Sequence, residues 1–392
     1  METLGLLRDI IKTVMSKSKI WLSSPHMGGN EQKYIEEAFA KNWIAPLGPN
    51  VTGFEQDLES YLGEDSHVAC VSSGTGAIHL ALDIAGVTAG DEVLCQTFTF
   101  CGSSHPITYM GATPVFIDSE EETWNMFPKY LEEAIKDGIA NGKKPKAVIA
   151  VHLYGMPAKI DEIEAICKKY NIFLIEDAAE ALGSSYKNRK CGTFGDISIL
   201  SFNGNKIITT SGGGALVCRD KETKDKAIFL ATQARDEAPH YQHSRIGYNY
   251  RMSNIVAGIG RGQMEVLDKH VALRRENNVF YQKLFSTIEE IQLFSEPDSN
   301  FYSNHWLSAI TLKKSDNQQI IENLRLFLHK FNIESRPLWK PMHVQPVYYG
   351  SKFYGNGTAI EIFKKGLCLP SGSNLTDSER DRIKNAVRMY FS

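Results

Sequence analysis

Short apolar runs alternate with amphipathic stretches from the start of the chain to about residue 264. Between the runs, apolar residues recur every three or four positions, as on the face formed by Ala77, Leu80, Ala81 and Ile84, which is typical of helices. Strands that alternate with helices favour a mostly parallel sheet covered on both sides, an α/β fold. The apolar runs, which predict buried strands, lie at 68–72, 92–95, 114–118, 146–152, 172–177, 197–200 and 215–218.

The pattern changes from about residue 265 onward. Long charged helical sequence at 265–285 and a mixed strand at 305–310 predict a smaller α+β domain. The chain of 392 residues exceeds one ordinary core, so two domains are expected. We assign residues 21–264 to a large domain and 265–392 to the small one. Residues 1–20 are expected to form an amphipathic helix or a frayed extension.

Charge and cysteine usage narrow the possible functions. The formal net charge of -3 gives no field that would attract nucleic acid or an anionic membrane, and no run is long enough to span a bilayer. The seven cysteines include no Cys-x-x-Cys pair that would suggest zinc or redox chemistry. No targeting signal is visible. We therefore expect a cytoplasmic protein without a metal site.

Polar and aromatic residues follow several predicted strands. Ligands of parallel α/β sheets bind beyond the carboxyl ends of the strands. Residues 73–75 and 98–100, together with His152, Asp177 and Lys206, are therefore expected to converge on one edge of the sheet. This edge is the candidate ligand site.

Two of these residues have alternative interpretations. Asp177 could be only the N-cap of a helix at 178–182. Its functional interpretation is a carboxylate that holds a protonated pyridine nitrogen. His152 could contact a ligand, although the sequence slightly favours a buried histidine whose hydrogen bonds are satisfied within the core.

Lys206 follows a predicted strand and is surrounded in the sequence by apolar and small residues. A hydroxyl, Ser201, lies five residues before it, and three glycines follow at 212–214. Removal from water disfavours the charged form of an amine, so such a lysine can form an imine with an aldehyde. A phosphate-binding P-loop is excluded because Asn205 and Ile207 flank the lysine. An exposed lysine beside a glycine-rich hairpin is the alternative.

A second glycine turn joins the strand at 68–72 to a helix. Ser73, Gly74 and Thr75 precede the first turn of that helix, where free backbone N–H groups and the helix dipole favour an anion. Serine and threonine are also ordinary N-caps, so this turn alone does not establish a phosphate site.

Taken together, these segments resemble the DegT-type sugar-nucleotide aminotransferases. The motifs lie at 73–75, 99–100, 176–180, 201–206 and 247–251, in the order found in that family. The resemblance runs from about Leu22 to the C-terminus. It implies a fold-type I enzyme that depends on pyridoxal 5'-phosphate (PLP), with a mostly parallel sheet in the large domain and a small C-terminal domain.

The resemblance also implies roles for individual residues. Lys206 would form the imine with PLP and move the proton during catalysis. Asp177 would keep the pyridine nitrogen protonated, and Phe100 would stack on the ring. The residues that would hold the cofactor phosphate are Gly74, Thr75 and Ser201.

Two further assignments concern the oligomer and a departure from the family pattern. Asn249 would reach the phosphate of the other subunit's cofactor, so at least a homodimer is expected. Glu180 stands near the cofactor's phenolic oxygen, where many relatives have glutamine or histidine.

Finer features resemble the enzymes that make UDP-4-amino-4,6-dideoxy-N-acetylglucosamine, a precursor of bacillosamine. They lie at 26–30, 43–48, 203–210 and 336–343. L-glutamate would be the donor and a UDP-4-keto sugar the acceptor, with Arg245 or Arg251 as candidates for binding the donor carboxylate. The residues that would line the sugar-nucleotide site are Asn42, Trp43, Ile44, Ala45, Arg336, Trp339 and His343.

Other activities compete with this interpretation. One is the same reaction on a GDP-linked hexose, giving perosamine. Another is a PLP-binding regulator without turnover, which the fold alone does not exclude. Dehydration is disfavoured because the dehydrating relatives replace the lysine by histidine, whereas Lys206 is present.

Overall fold

The computed structural model describes residues 18–63, 65–313 and 319–392. Its largest sheet has the strand order β1-β9-β8-β5-β4-β2-β3-β14, in which β9 alone runs antiparallel to its neighbours. The strands of this sheet are β1 (His67–Val71), β2 (Glu92–Gln96), β3 (Thr113–Ile117), β4 (Ala147–Val151), β5 (Phe173–Asp177), β8 (Ile197–Ser201), β9 (Gly214–Cys218) and β14 (Phe353–Tyr354).

Helices cover both faces of this sheet. Alternate residues of β4 enter different cores: Val148 and Ala150 face one cluster, and Ala147 and Ile149 face the other. This alternation is the two-residue period of a strand that is buried on both sides. The helices before residue 265 are α1 (Glu31–Ala40), α2 (Pro49–Leu62), α3 (Gly74–Ile84), α4 (Cys101–Tyr109), α5 (Pro128–Ala140), α6 (Ile160–Tyr170), α7 (Lys221–Ala231) and α8 (Asn254–Met264).

The C-terminal part forms its own antiparallel sheet, in the order β10-β12-β15-β13. Its core includes Tyr281, Ile310, Leu324 and Val387, which are fully or almost fully buried. The strands are β10 (Ile291–Leu293), β12 (Ser308–Leu312), β13 (Arg336–Pro337) and β15 (Gly366–Leu369). The helices are α9 (Leu267–Phe285), α10 (Gln319–Lys330), α11 (Thr358–Lys364) and α12 (Asp377–Phe391). A third sheet joins β6 (Ser185–Tyr186), β7 (Arg189–Lys190) and β11 (Phe301–Tyr302).

Two connections link the C-terminal part to the preceding chain. Strand β14, from the C-terminal part, pairs with β3 in the large sheet, and buried Asp118 accepts the backbone N–H groups of Gly357 and Ala359 at the start of α11. Ile20, the last residue of the predicted N-terminal extension, pairs with Ile333 in the C-terminal part. The boundary near residue 264 stays a prediction, and the predicted N-terminal extension lies outside the described residues up to residue 17.

The structure confirms the predicted fold class and corrects two elements. Residues 178–182 form turns rather than the helix considered for them, with Asp177 accepting the N–H of Ala179. The strand expected at 305–310 begins only at Ser308, because the preceding loop bonds to other elements. None of the described helices combines the length and apolarity needed to cross a membrane.

Candidate active site

A cavity of about 960 Å³ lies beyond the carboxyl ends of β1, β5 and β8, where the strand-end argument placed the site. The small domain supplies its far wall through β13 and the loop before β12. Its lining includes nine of the predicted site residues: Gly74, Thr75, Phe100, Asp177, Glu180, Ser201, Lys206, Arg336 and Trp339. Residues far apart in the chain therefore line one cavity.

Lys206 projects into this cavity from the loop that follows β8. Its side chain is only 10% exposed, with Nζ 4.3 Å from the centre of the Trp306 ring and 3.6 Å from Oε1 of Glu180. The backbone N–H of Lys206 donates to the carbonyl of Asn203 at 3.0 Å. The exposed-lysine alternative is therefore wrong.

Two residues that the sequence did not single out hold this loop in place. Trp306 Nε1 donates to the carbonyl of Asn205 at 2.6 Å. Arg274, 1% exposed, donates to the carbonyls of Lys206 and Trp306 at 3.3 and 2.6 Å. A buried arginine whose hydrogen bonds reach both elements ties the lysine loop to the wall of the small domain. Neither residue lies in a recognisable motif, since the contacts depend on the packing of distant segments.

Asp177 lies at the end of β5, and a hydrogen bond from Ser103 holds its side chain. Its Oδ2 accepts a hydrogen bond from Ser103 Oγ at 2.6 Å, and Ser103 is itself 2.8 Å from Thr99 Oγ1. The carboxylate is 4% exposed, yet it lines the cavity. Such a fixed carboxylate can hold a proton on a basic ring nitrogen. Ser103 was missed in the sequence because serines are common near helix starts.

The start of α3 has the backbone arrangement that favours binding of an anion. Ser73 caps the helix by accepting the N–H of Gly76 at 3.0 Å. The N–H groups that precede Gly76 in the first turn have no intrahelical acceptor, as at the start of any helix. Gly74 packs closely on Ser201, since a Cβ at Gly74 would lie 3.3 Å from Ser201 Oγ. At Gly214, a Cβ would lie 2.4 Å from Gly74 N, so this glycine serves the approach of β9 rather than that of a ligand.

Two aromatic residues stand at the mouth of the cavity. Phe100 is 53% exposed, and its ring centre lies 5.6 Å from that of Trp339. Trp339 donates its backbone N–H to Tyr154 Oη at 2.9 Å. Phe100 therefore has an open face for a planar ligand, as aromatic stacking requires.

Glu180 differs from Asp177, which also lines the cavity, because fewer hydrogen-bond donors contact it. Its Oε2 accepts the backbone N–H of Tyr154 at 2.6 Å, and its Oε1 faces Lys206. Burial raises the pKa of Glu180 to about 7, although the charge of Lys206 opposes this shift. Asn304 fixes the surrounding turn by donating to the carbonyls of Glu180 and Leu182.

His152 does not join the cavity. It is fully buried, its Nδ1 accepts the N–H of Ala158 at 2.9 Å, and its Nε2 donates to Glu176 at 2.8 Å. The core interpretation of His152 is therefore confirmed. His152, Glu176 and Cys191 are spaced closely enough for a metal site, but hydrogen bonds occupy the histidine and the carboxylate.

The other predicted ligand contacts lie outside the cavity of this single chain. Asn249 is exposed and accepts from Gln233 Nε2 at 3.0 Å. His343 contacts Thr97 and stacks on Phe353. The segment Asn42, Trp43, Ile44 and Ala45 is fastened by Asn254, which bonds to the backbone of Trp43 and Ala45. These residues stay predictions.

The two arginines considered for the donor carboxylate already have partners. Arg251 is 11% exposed, pairs with Glu55 at 2.5 Å and donates to the carbonyl of Cys70 at 2.9 Å. Arg245 pairs with Asp83. Neither lines the cavity, so each would have to leave a partner before it could bind a substrate.

The donor set in the cavity fits PLP. An amine, a fixed carboxylate, an open aromatic face and an anion-binding helix start correspond to the aldehyde, ring nitrogen, ring and phosphate of that cofactor. A sequence profile of the DegT/DnrJ/EryC1/StrS aminotransferase family matches residues 25–388.

The chain belongs to this family. Among its relatives, the putative pyridoxal phosphate-dependent aminotransferase EpsN of Bacillus subtilis (strain 168) is 52% identical over 95% of this chain and 96% of its own length. The GDP-perosamine synthase of Escherichia coli O157:H7 is 37% identical over 94% of this chain and 97% of its own. A solved DegT/DnrJ/EryC1/StrS aminotransferase from Brucella abortus, 27% identical, superposes with a TM-score of 0.85 over 99% of this chain and 98% of that one.

Membership settles the class of activity. The protein is a PLP-dependent sugar aminotransferase, so the enzyme interpretation is confirmed over that of a non-catalytic regulator. The cofactor prediction is confirmed on the same grounds. The identity of the sugar nucleotide is a separate question, because the relatives named above differ in what their names specify.

Proposed function

We propose that the enzyme transfers the amino group of L-glutamate to C4 of UDP-4-keto-6-deoxy-N-acetylglucosamine. The product would be UDP-4-amino-4,6-dideoxy-N-acetylglucosamine, used in surface glycan or glycoprotein synthesis. The observation that carries the proposal is the single cavity that joins Lys206 and Asp177 to Arg336 and Trp339 on the small-domain side. The sugar nucleotide itself is supported by the sequence resemblance of the segments at 43–48 and 336–343.

The chain's own residues divide the work of the reaction. Bound PLP supplies a reactive aldehyde and an electron-withdrawing ring. Nζ of Lys206 would move the proton between the two carbons that exchange the amine. Asp177, positioned by Ser103, would keep the ring nitrogen protonated, and Phe100 would pack on the ring. The residues that would bind the phosphate are Gly74, Thr75 and Ser201.

Replacement of the cavity lysine tests the reaction class. Lys206→Ala should abolish multiple turnover, because the variant lacks the amine that is proposed to transfer the proton. Lys168→Ala provides a matched control, since that lysine is 66% exposed and pairs with Glu164 on the surface of α6. Retained multiple turnover in Lys206→Ala, measured as 2-oxoglutarate formed per subunit, would contradict the assignment.

A GDP-linked acceptor is the second candidate. GDP-perosamine synthases of three organisms are 34 to 37% identical to this chain over 94% of its length. The amino-loaded enzyme, freed of glutamate, can be offered UDP- and GDP-linked 4-keto-6-deoxy sugars separately. Return of the lysine-bound cofactor absorbance and an aminated product with only the UDP sugar would support the proposal. Response to the GDP sugar alone would replace it.

We also propose a homodimer in which Asn249 reaches the partner's cofactor phosphate. Its exposed position supports this, as does the exposure of the nearby apolar Ile246, at 84%, and Tyr241, at 80%. Mixing Lys206→Ala with Asn249→Ala subunits tests it. The mixed dimer would contain one site with both residues intact, so activity should return. No return on subunit exchange would place Asn249 outside the partner's site.

The remaining substrate assignments rest on the same proposed acceptor. Asn42, Trp43, Ile44 and Ala45 would line the sugar-nucleotide site from a neighbouring subunit or after a rearrangement, since Trp43 and Ile44 are 38% and 50% exposed. His343 would act from the edge of the site. Single alanine substitutions should raise KM for the acceptor while leaving the reaction with glutamate unchanged.

A further inference from the structure

Glu180 is a buried carboxyl group beside the catalytic amine, with only part of its bonding capacity used. Oε2 accepts one backbone N–H, from Tyr154, at 2.6 Å. Oε1 faces Nζ of Lys206 at 3.6 Å, within the same cavity. A carboxylate that keeps its charge in such a place usually has two or three donors.

The other groups around Glu180 do not supply that stabilisation. Asp177, on β5, adds a second negative charge that disfavours ionisation of Glu180. The side chains of Tyr154 and Cys368 face it without a charge at neutral pH, because burial raises the pKa of the tyrosine well above its ordinary value and that of the thiol to about 12. Lys206 is the group whose charge favours the carboxylate. The protonation of Glu180 therefore depends on the charge of Lys206.

We propose that Glu180 is a second acid–base residue of the active site, which takes the proton from Nζ of Lys206 when the amine must be neutral and returns it afterwards. The proposal rests on the proposed function of Lys206. In the transfer, one N–H bond of the ammonium breaks and one O–H bond forms on Oε1. Charge and atoms balance, because an ammonium and a carboxylate become an amine and a carboxylic acid. No proton has to leave for solvent.

If Glu180 and Lys206 share one proton, the fraction of neutral amine should depend on pH in a way that can be measured. While the pair holds a single proton, the fraction of neutral amine is fixed by the two residues and does not change with pH. An amine without such a partner gains its neutral form only by losing a proton to solvent, so this fraction rises about tenfold per pH unit. The dependence on pH, rather than the size of the rate, distinguishes the two cases.

The experiment uses the cofactor-free full chain and formaldehyde with a borohydride reductant. Methylation of Lys206 is followed by mass spectrometry of its peptide at several pH values around neutrality. In the wild type, the rate at Lys206 should be nearly flat over at least one pH unit. In Glu180→Gln, which keeps an oxygen for the Tyr154 N–H but cannot take a proton, the rate should rise about tenfold per unit.

Controls come from the same digests. Lys221, 75% exposed on α7, should show the steep dependence in both proteins and corrects for the reagent's own response to pH. A steep dependence at Lys206 in the wild type would overturn the proposal, as would a flat one in Glu180→Gln. Glu180→Asp, which retains an acid, should keep a flat region if it folds when the glutamine variant does not.

The outcome is separable from that of the proposed function. Failure of Lys206 to bind PLP would remove the proposed role of the lysine, whatever the methylation rates show. Normal binding of PLP by Lys206 with a steep methylation profile would leave the aminotransferase intact and remove only the role of Glu180.

Discussion

Two glutamates four positions apart occupy opposite kinds of surroundings. Glu176 is fully buried in the sheet and accepts hydrogen bonds from His152, Ser198 and three backbone N–H groups. Burial opposes its ionisation, yet these donors lower the pKa of Glu176 to about 2. Glu180 is equally shielded but has one backbone donor and a nearby amine, and its pKa rises to about 7. Both carboxyl groups are buried, so the hydrogen-bond donors and the charges around each one decide which of them keeps its charge.

The two sets of surroundings suit different roles, a structural one for Glu176 and an acid–base one for Glu180. A carboxylate whose oxygens accept several hydrogen bonds, such as Glu176, stays ionised at neutral pH. Its hydrogen bonds fix the backbone around β5 and β8. A buried carboxyl group with few hydrogen-bond donors, such as Glu180, takes up a proton more readily, and here it does so next to Lys206. Perturbed acids at functional sites follow this second pattern.

The largest expected effect is on folding. Glu176→Ala should lower the free energy of unfolding by about 4 kcal/mol or more, because it leaves several buried donors without an acceptor. Urea denaturation measures this loss. Glu133→Ala, at an exposed position on α5, should change the free energy by less than about 0.5 kcal/mol. Comparable losses in the two variants would contradict the structural role of Glu176.

The second effect is on catalysis. Glu180→Gln should lower kcat by about 10² without lowering the free energy of unfolding at pH 7 below that of the wild type. The reason is that proton transfer is impaired, whereas the hydrogen bond from Tyr154 is kept. Single-turnover rates and urea denaturation on the same samples provide the comparison. A wild-type kcat would show that Glu180 is dispensable for proton transfer.

The third effect concerns stability and pH. The folded-state pKa of Glu180 lies above its ordinary value of 4.5, so the folded protein binds more protons than the unfolded chain between about pH 4.5 and 7. Stability due to this group is present below that window and is lost as the pH rises through 7. The free energy of unfolding of the cofactor-free wild type should fall relative to that of Glu180→Gln by about 3 kcal/mol across the window.

Taking that difference cancels the titrating groups that lie away from Glu180, because both proteins share them. Glu133→Gln is the matched control for loss of one carboxyl group, and its difference from the wild type should stay nearly constant. A constant difference for Glu180→Gln as well would mean that Glu180 ionises normally.

The smallest effect concerns Tyr154, which contacts both Glu180 and Trp339. Tyr154→Phe keeps the backbone N–H that binds Glu180 but removes the hydroxyl that accepts the N–H of Trp339. We expect KM for the sugar nucleotide to rise about fivefold, the value of roughly one hydrogen bond. The reaction with glutamate should be unchanged, as measured by stopped-flow absorbance. An equal loss in both half-reactions would mean that the hydroxyl supports the whole site.

Sequence patterns predicted the sheet well because its strands are continuous apolar runs. Each predicted large-sheet strand agrees with a described strand to within about two residues, and the strand-end rule brought Lys206, Asp177 and the start of α3 to one edge. The strand expected at 305–310 was misplaced because side-chain bonds of Asn304, rather than local preference, shape the loop before Ser308.

The sequence by itself determined the α/β fold and the candidate site residues, since these depend on local periodicity and on short motifs. Tertiary structure decided how those residues are held. Ser103 positions Asp177, while Arg274 and Trp306 fasten the lysine loop across the domains. Tertiary structure also decided that Glu176 accepts several hydrogen bonds whereas Glu180 accepts one from the backbone. Hydrogen bonds from distant segments are settled by packing and leave no periodic trace in the chain.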